Sequence, residues 1–134
     1  MRLLALDVGK KRIGIAVSDP MQVTARPHST IQRTKKSFDE IAKLVSELEP
    51  EKVLIGLPLH LNGTEGEQAK ETRSFASKLA RQIPGVQIEF VDERLTTVEA
   101  EERLADRRGS WHKKRDQIDA YAAASILQNY LNNR

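Results

Sequence analysis

Two short apolar runs open the chain, RLLALDV at 2–8 and IGIAVSD at 13–19, with only GKKR between them. Runs this short, split by a polar turn that contains glycine, pair as antiparallel strands, so the sequence commits to a sheet before any helix begins. Inside the first run stands a single carboxylate, Asp7. A charge between LAL and VG gains nothing from packing and is expensive unless it reaches solvent or a cation, which makes Asp7 the first candidate for a working residue.

A third, weaker run follows in RPHSTI at 26–31, and from Ser37 the period changes. SFDE reads as a capping box with Ser37 as N-cap, and Phe38, Ile41, Leu44, Val45 and Leu48 recur at helical spacing until Pro50 stops them. KVLIGLP at 52–58 is an uninterrupted apolar strand of the kind buried on both faces. After the turn-rich LHLNGTEGE, a second capping box at TEGE (64–67) opens a helix to about Gln82, and PG breaks it. VQIEFVDE at 86–93 is another strand, and TTVE at 96–99 opens a short helix closed by Leu104. A last helix runs from about Asp116 to Leu131, with Ile118, Ala122, Ser125, Ile126 and Tyr130 on one stripe. The order β-β-β-α-β-α-β-α-α predicts an α/β fold: a mixed five-stranded sheet, three antiparallel strands then parallel ones, with helices on both faces. Ligands on such sheets sit at the carboxyl ends of the strands.

With 134 residues the chain is the size of one domain, residues 1–134 without a linker. No apolar stretch approaches the roughly 20 residues that span a bilayer, and no signal-peptide pattern opens the chain. Cysteine is absent, which excludes disulfides, thiolate zinc sites and cysteine nucleophiles, and the expected compartment is the cytoplasm. The net charge of +3 is unevenly laid out: residues 1–36 carry 8 basic and 2 acidic groups and residues 107–115 carry 5 and 0. Clustered cations of this kind suit a polyanionic partner, and equally a solvated surface.

Three carboxylates fall where strand and helix ends can meet: Asp7, Glu93 after IEFV, and Asp119 early in the last helix, with Asp116 one turn before it on the same face. Several carboxylates brought together repel, so a cluster persists only with protons or cations to compensate. Oxygen-only ligands suit Mg²⁺ or Mn²⁺, and a pair of such ions about 3.5–4 Å apart is the apparatus of a nuclease. Each residue also has a plainer use: Asp116 or Asp119 as a helix cap, Glu93 as an ion-pair partner of Arg94. DVGKKRIG has a rival reading as the phosphate-cradling turn of an ATPase. It is not a Walker loop, because a strand follows it, and one domain of this size does not close on a nucleotide.

Four stretches, LDVGKKRIGIAVSD, IGLPLHLNGTEG, FVDERLTT and DQIDAYAAASILQNYL, resemble in order and over essentially the whole chain the YqgF family of bacteria, also called RuvX. Its members are described as Holliday junction resolvases and as pre-16S rRNA nucleases. The resemblance implies an RNase H-like fold and a metal-dependent endonuclease, with Asp7, Glu93 and Asp119 at the family's acidic positions. Asp116 departs from the pattern of many members and looks more like the end of a RuvC-type resolvase, as a fourth ligand or a plain helix cap.

Cations surround the proposed site. Lys10, Lys11 and Arg12 border Asp7, Arg94 follows Glu93, and RRGSWHKKR adds Arg107, Arg108, Lys113, Lys114 and Arg115. Trp111 there either stacks on an unpaired base or buries itself against the body, and His112 is expected at the surface. Together these readings give a Mg²⁺- or Mn²⁺-dependent endonuclease, a monomer or weak homodimer, acting on pre-16S rRNA near its 5′ end. The alternatives are a Holliday junction resolvase on branched DNA and a non-catalytic, ribosome-associated RNA-binding factor.

Overall fold

The computed structural model describes residues 1–93 and 115–134, without the side chains of 115–117. The opening hairpin forms as its pattern requires: β1 (Leu3–Val8) and β2 (Arg12–Ser18) run antiparallel, in a register that sets Asp7 opposite Gly14. β3 (Ala25–Gln32) continues antiparallel beside β2, with an irregularity between Ile15 and Ala16. It is longer than RPHSTI suggests, and its weak hydrophobic signal has a cause. As the outermost strand it alternates half-buried with exposed positions, and an edge tolerates Pro27.

β4 (Lys52–Leu57) lies parallel to β1 and β5 (Gln87–Asp92) parallel to β4, which gives the sheet order β3-β2-β1-β4-β5. The central strands β1 and β4 are the two whose sequences read as continuous apolar runs, and both are covered on each face. α1 (Ser37–Leu48) and α2 (Glu67–Gln82) connect the parallel strands, and α3 (Arg115–Asn132) closes the chain. The expected short helix at 96–104 lies outside the described residues.

Alternation along β1 sorts the core into two layers. Leu4, Leu6 and Val8 point to one face, where Ile41 and Val45 of α1 and Phe75, Ala76 and Leu79 of α2 pack on them. Leu3 and Ala5 point to the other, where they meet Ala123, Ala124 and Leu127 of α3. Asp7 belongs to this second face by the period of two. At the far end of the α3 face Lys52 ties β4, β5 and α3 together, its Nζ donating to Glu89 Oε1 at 3.0 Å and to the Tyr130 hydroxyl at 3.1 Å.

Local expectations at three helices need correction. Ser37 is not an N-cap but the first helical residue, fully buried; its Oγ accepts from Thr34 N–H at 2.8 Å and donates to the Gln32 carbonyl at 2.9 Å. It fastens the end of β3 to α1 rather than satisfying the helix's own amides. Thr64 does not cap α2 either. Gly66 holds the cap position without a side-chain bond, and Thr64 N–H donates to Asn62 Oδ1 at 3.0 Å, a turn closure. In α3 the buried positions are Ala120, Ala123, Ala124, Ser125, Ile126, Leu127 and Asn129. Of the stripe expected from the sequence, Ser125 and Ile126 are buried, while Ile118, Ala122 and Tyr130 are only partly covered. Alanines let the helix press closely on the sheet, and that contact overrides the larger side chains.

Candidate active site

The site lies on the α3 face at the carboxyl ends of β1, β4 and β5. Asp7 is the last β1 side chain on that face, and Glu93 continues the side of Val91 just past the end of β5. Between them on β4 stands Gly56, next after Ile55, the partner of Leu6. A Cβ on Gly56 would come within 3.5 Å of Glu93 Cδ and within 2.7 Å of Ile126 Cδ1. The missing side chain makes room for Ile126 of α3, while Glu93 lies beside it at ordinary contact distance. Gly14 performs the same service on the other flank: a Cβ there would overlap the backbone carbonyl of Asp119, so α3 rests directly on β2 at that point.

Two strand-interior glycines therefore flank Asp7 and clear space for α3, Gly14 for the backbone at Asp119 and Gly56 for Ile126. Neither was among the residues singled out from the sequence. The signal was present, because a lone glycine in a strand marks a bulge or the close approach of another group.

The electrostatics follow from this crowding. The Asp7 carboxyl is pushed up to about 8 from its ordinary 3.8, first by burial, then by the charge of Glu93, a hydrogen bond with the Glu93 carboxyl and the charge of Asp119. Every one of these influences favours the protonated form. Asp119 is differently placed: Arg12 Nε donates to its Oδ2 at 2.8 Å, in an ion pair about one-third exposed on each side. Among the described residues no three carboxylates or imidazoles already stand close enough together to hold an ion. Asp7 faces Glu93, and Asp119 faces Arg12. The donor chemistry nonetheless fits a hard divalent cation: oxygen ligands only, and an unbalanced negative charge partly withdrawn from water.

The structure thus sets Glu93 against Asp7 and Asp119 near enough for its charge to act there, while Asp119 itself pairs with Arg12. Asp116 lies one turn before Asp119 on α3, its side chain outside the described part. Among the expected phosphate-binding residues, Lys10 and Lys11 are exposed on the β1–β2 turn, while Arg12 is turned inward to Asp119. Arg94, Arg107, Arg108, Trp111, Lys113 and Lys114 lie outside the described residues, as does the side chain of Arg115.

The loop after β4 rises from the same edge of the sheet. Leu59 bridges Glu65, and Glu65 receives Arg73 Nε at 2.7 Å and the second Arg73 donor at 2.8 Å. The Arg73 guanidinium also lies 4.9 Å over the Phe90 ring. This bracing ties the loop to α2 and, through Arg73, to Phe90 of β5, with Leu61 at its tip 94% exposed.

Comparison with known proteins agrees with the geometry. A family model described as "RuvX: Holliday junction resolvase" matches residues 1–133. A protein of Lactococcus lactis subsp. cremoris (strain MG1363) is 44% identical over 134 residues, covering 97% of this chain and 93% of its own, and carries the name "Putative pre-16S rRNA nuclease". One of the same name from Sulfurihydrogenibium sp. (strain YO3AOP1) is 46% identical over 131 residues, 97% of this chain and 89% of its own. Among solved structures, T. thermophilus RuvC in complex with a Holliday junction substrate superposes with a TM-score of 0.63 at 16% identity, covering 98% of this chain and 94% of that one. The Fowlpox virus resolvase with Holliday junction DNA gives 0.61 at 10% identity, with 98% and 97% covered. At these identities the structural likeness speaks for the fold, which is RNase H-like.

Proposed function

This chain belongs to the RuvX family, and from that premise we propose that it is a nuclease hydrolysing phosphodiester bonds in structured RNA, with the 5′ end of precursor 16S rRNA as substrate. It would act in the cytoplasm as a single domain, for which a monomer suffices. The observation that carries the reading is the gathering of Glu93 and Asp119 about Asp7 at the carboxyl end of β1, close enough for the charges of both to act on its carboxyl.

Asp7, Glu93 and Asp119 would hold Mg²⁺ or Mn²⁺, with Asp116 as a candidate fourth ligand. When bound, a pair of such ions supplies the positive charge that activates water and neutralises the leaving oxygen of a phosphodiester. The protein's own share is placement. Gly14 and Gly56 let α3 settle on the sheet beside Asp7, and Lys10 and Lys11 offer cations to the nucleic-acid backbone where it enters. Relatives named as pre-16S rRNA nucleases at 44–46% identity favour the RNA substrate.

A second reading, resolution of four-way DNA junctions, draws on the family model's description and on the two resolvase structures. It demands two symmetric cuts and hence a dimer. The discriminating experiment offers end-labelled pre-16S 5′ leader RNA and a synthetic four-way DNA junction to the protein in Mg²⁺, Mn²⁺ or EDTA. The expected outcome is cation-dependent cutting of the RNA, reduced at least a hundredfold by Asp7→Asn with RNA binding retained. Wild-type rates in that variant would remove Asp7 from the chemistry. Cutting of the junction alone would establish the second reading, and RNA binding without cutting would make the protein a binding factor.

A further inference from the structure

We propose that Arg12 is a positioning residue for Asp119: it serves as the built-in counter-cation of that carboxylate and yields it when a divalent cation enters the site. This rests on the reading of the carboxylates as cation ligands. Arg12 opens β2, and two residues further along the same face Gly14 lets the α3 backbone settle on the strand. The helix-borne carboxylate is therefore delivered to the strand twice, by backbone contact at Gly14 and by the 2.8 Å pair with Arg12 Nε. The base from which the guanidinium reaches is itself fixed. Gly9 N–H donates to the Arg12 carbonyl at 2.9 Å, Arg33 N–H to the Lys11 carbonyl at 2.8 Å, and the Arg33 guanidinium to the Gly9 carbonyl at 2.9 Å.

Asp119 is neutralised by a side chain of the protein, and among the described residues no three carboxylates or imidazoles already stand together to hold an ion. Entry of a divalent ion has to displace Arg12 from Asp119. Arg12 then becomes a like charge on the far side of a ligand carboxylate, and two opposing effects follow from deleting it. Removing one positive charge about 6 Å from a dication favours the ion by about tenfold even at water-like screening. Losing the ordering of one carboxylate side chain opposes binding by about fivefold. The charge effect is larger, so deletion of Arg12 tightens ion binding instead of weakening it, the reverse of what a mere support would do.

The test is calorimetric titration of MnCl₂ into the full chain without nucleic acid, for the unaltered protein and for Arg12→Ala, Arg12→Gln and Arg12→Lys. Arg12→Gln keeps a donor for Asp119 and guards against loss of the fold in the alanine variant. We expect Mn²⁺ binding about twofold tighter in Arg12→Ala, about tenfold tighter in Arg12→Gln, where Asp119 stays ordered, and unchanged in Arg12→Lys, which keeps the charge. Unchanged or weaker binding in both charge-deleting variants overturns the inference and reduces the pair to a fastening between helix and strand. If neither the unaltered chain nor any variant takes up Mn²⁺, the cation reading of the site fails and the inference with it. Uptake by the unaltered chain without tightening in the variants defeats the inference alone.

Discussion

The two faces of the sheet are built on different scales. Toward α1 and α2 the buried layer is made of large side chains, Leu4, Leu6, Ile13, Ile41, Phe75 and Leu79 among them, with Phe38 stacked on Phe75 at 4.8 Å. Toward α3 four of the seven buried members are alanine, and a glycine underlies the helix backbone. Large side chains bury area, which is where stability comes from. Small ones bring main chains close, which is where fixed geometry comes from. The carboxylates sit on the thin face because only there does a helix approach the sheet closely enough to deliver a side chain to the end of β1. One face holds the fold and the other holds the site.

That division can be broken one face at a time. Leu79→Ala removes a fully buried side chain from the thick face and is expected to cost about 3 kcal/mol, a transfer and cavity loss. Cleavage per folded molecule should stay within twofold, read by urea unfolding together with leader-RNA cutting at low temperature. A loss of cutting beyond the unfolded fraction would mean that the faces are coupled. Gly14→Ala places a methyl group against the Asp119 carbonyl and is expected to cost less, about 2 kcal/mol, as α3 lifts from β2. Its effect on cutting should be tenfold or more, because Asp119 moves with the helix. If Gly14→Ala were neutral for cutting, the close contact would not be what sets the site.

The sequence made some of this readable and hid the rest for physical reasons. The succession of elements and the mixed sheet with helices on both faces follow from the period-two and period-3.6 patterns, and Asp7 stood out because a charge in an apolar run has no packing excuse. What escaped depends on contacts between distant parts of the chain. Arg12 and Asp119 are 107 residues apart, so nothing local marks the one as partner of the other, and Arg12 read as a phosphate contact. Ser37 matched a capping box by spacing, but its hydroxyl is engaged by the end of β3. In AYAAAS the alanines carry so little hydrophobic contrast that the buried stripe of α3 was placed on its larger residues. Gly14 and Gly56 were visible as strand glycines, yet what they make room for appears only when β1, β4, β5 and α3 are assembled.

The smallest expected effect bears on the same contrast, since it asks whether the thin face is under strain that the thick face must carry. Asp7 binds its proton more tightly in the folded chain, with a pKa near 8, than in an unfolded one, where 3.8 is ordinary. Between those values the folded state holds a proton that the unfolded state has released, so stability falls as pH rises from about 4 toward 8. Asp7→Asn removes that fall. In EDTA the variant should match the wild type at pH 4 and exceed it at pH 8 by about 2 kcal/mol, well below the full linkage of so large a shift because water and neighbouring groups relax around the charge. Saturating Mn²⁺ should reverse the order at pH 8, since the ion stabilises only a chain that binds it. Denaturant midpoints at the two pH values, with and without Mn²⁺, measure all of this. Equal stabilities at pH 8 in EDTA would show that Asp7 ionises without cost, and that the carboxylates at the end of β1 are already balanced by the protein itself.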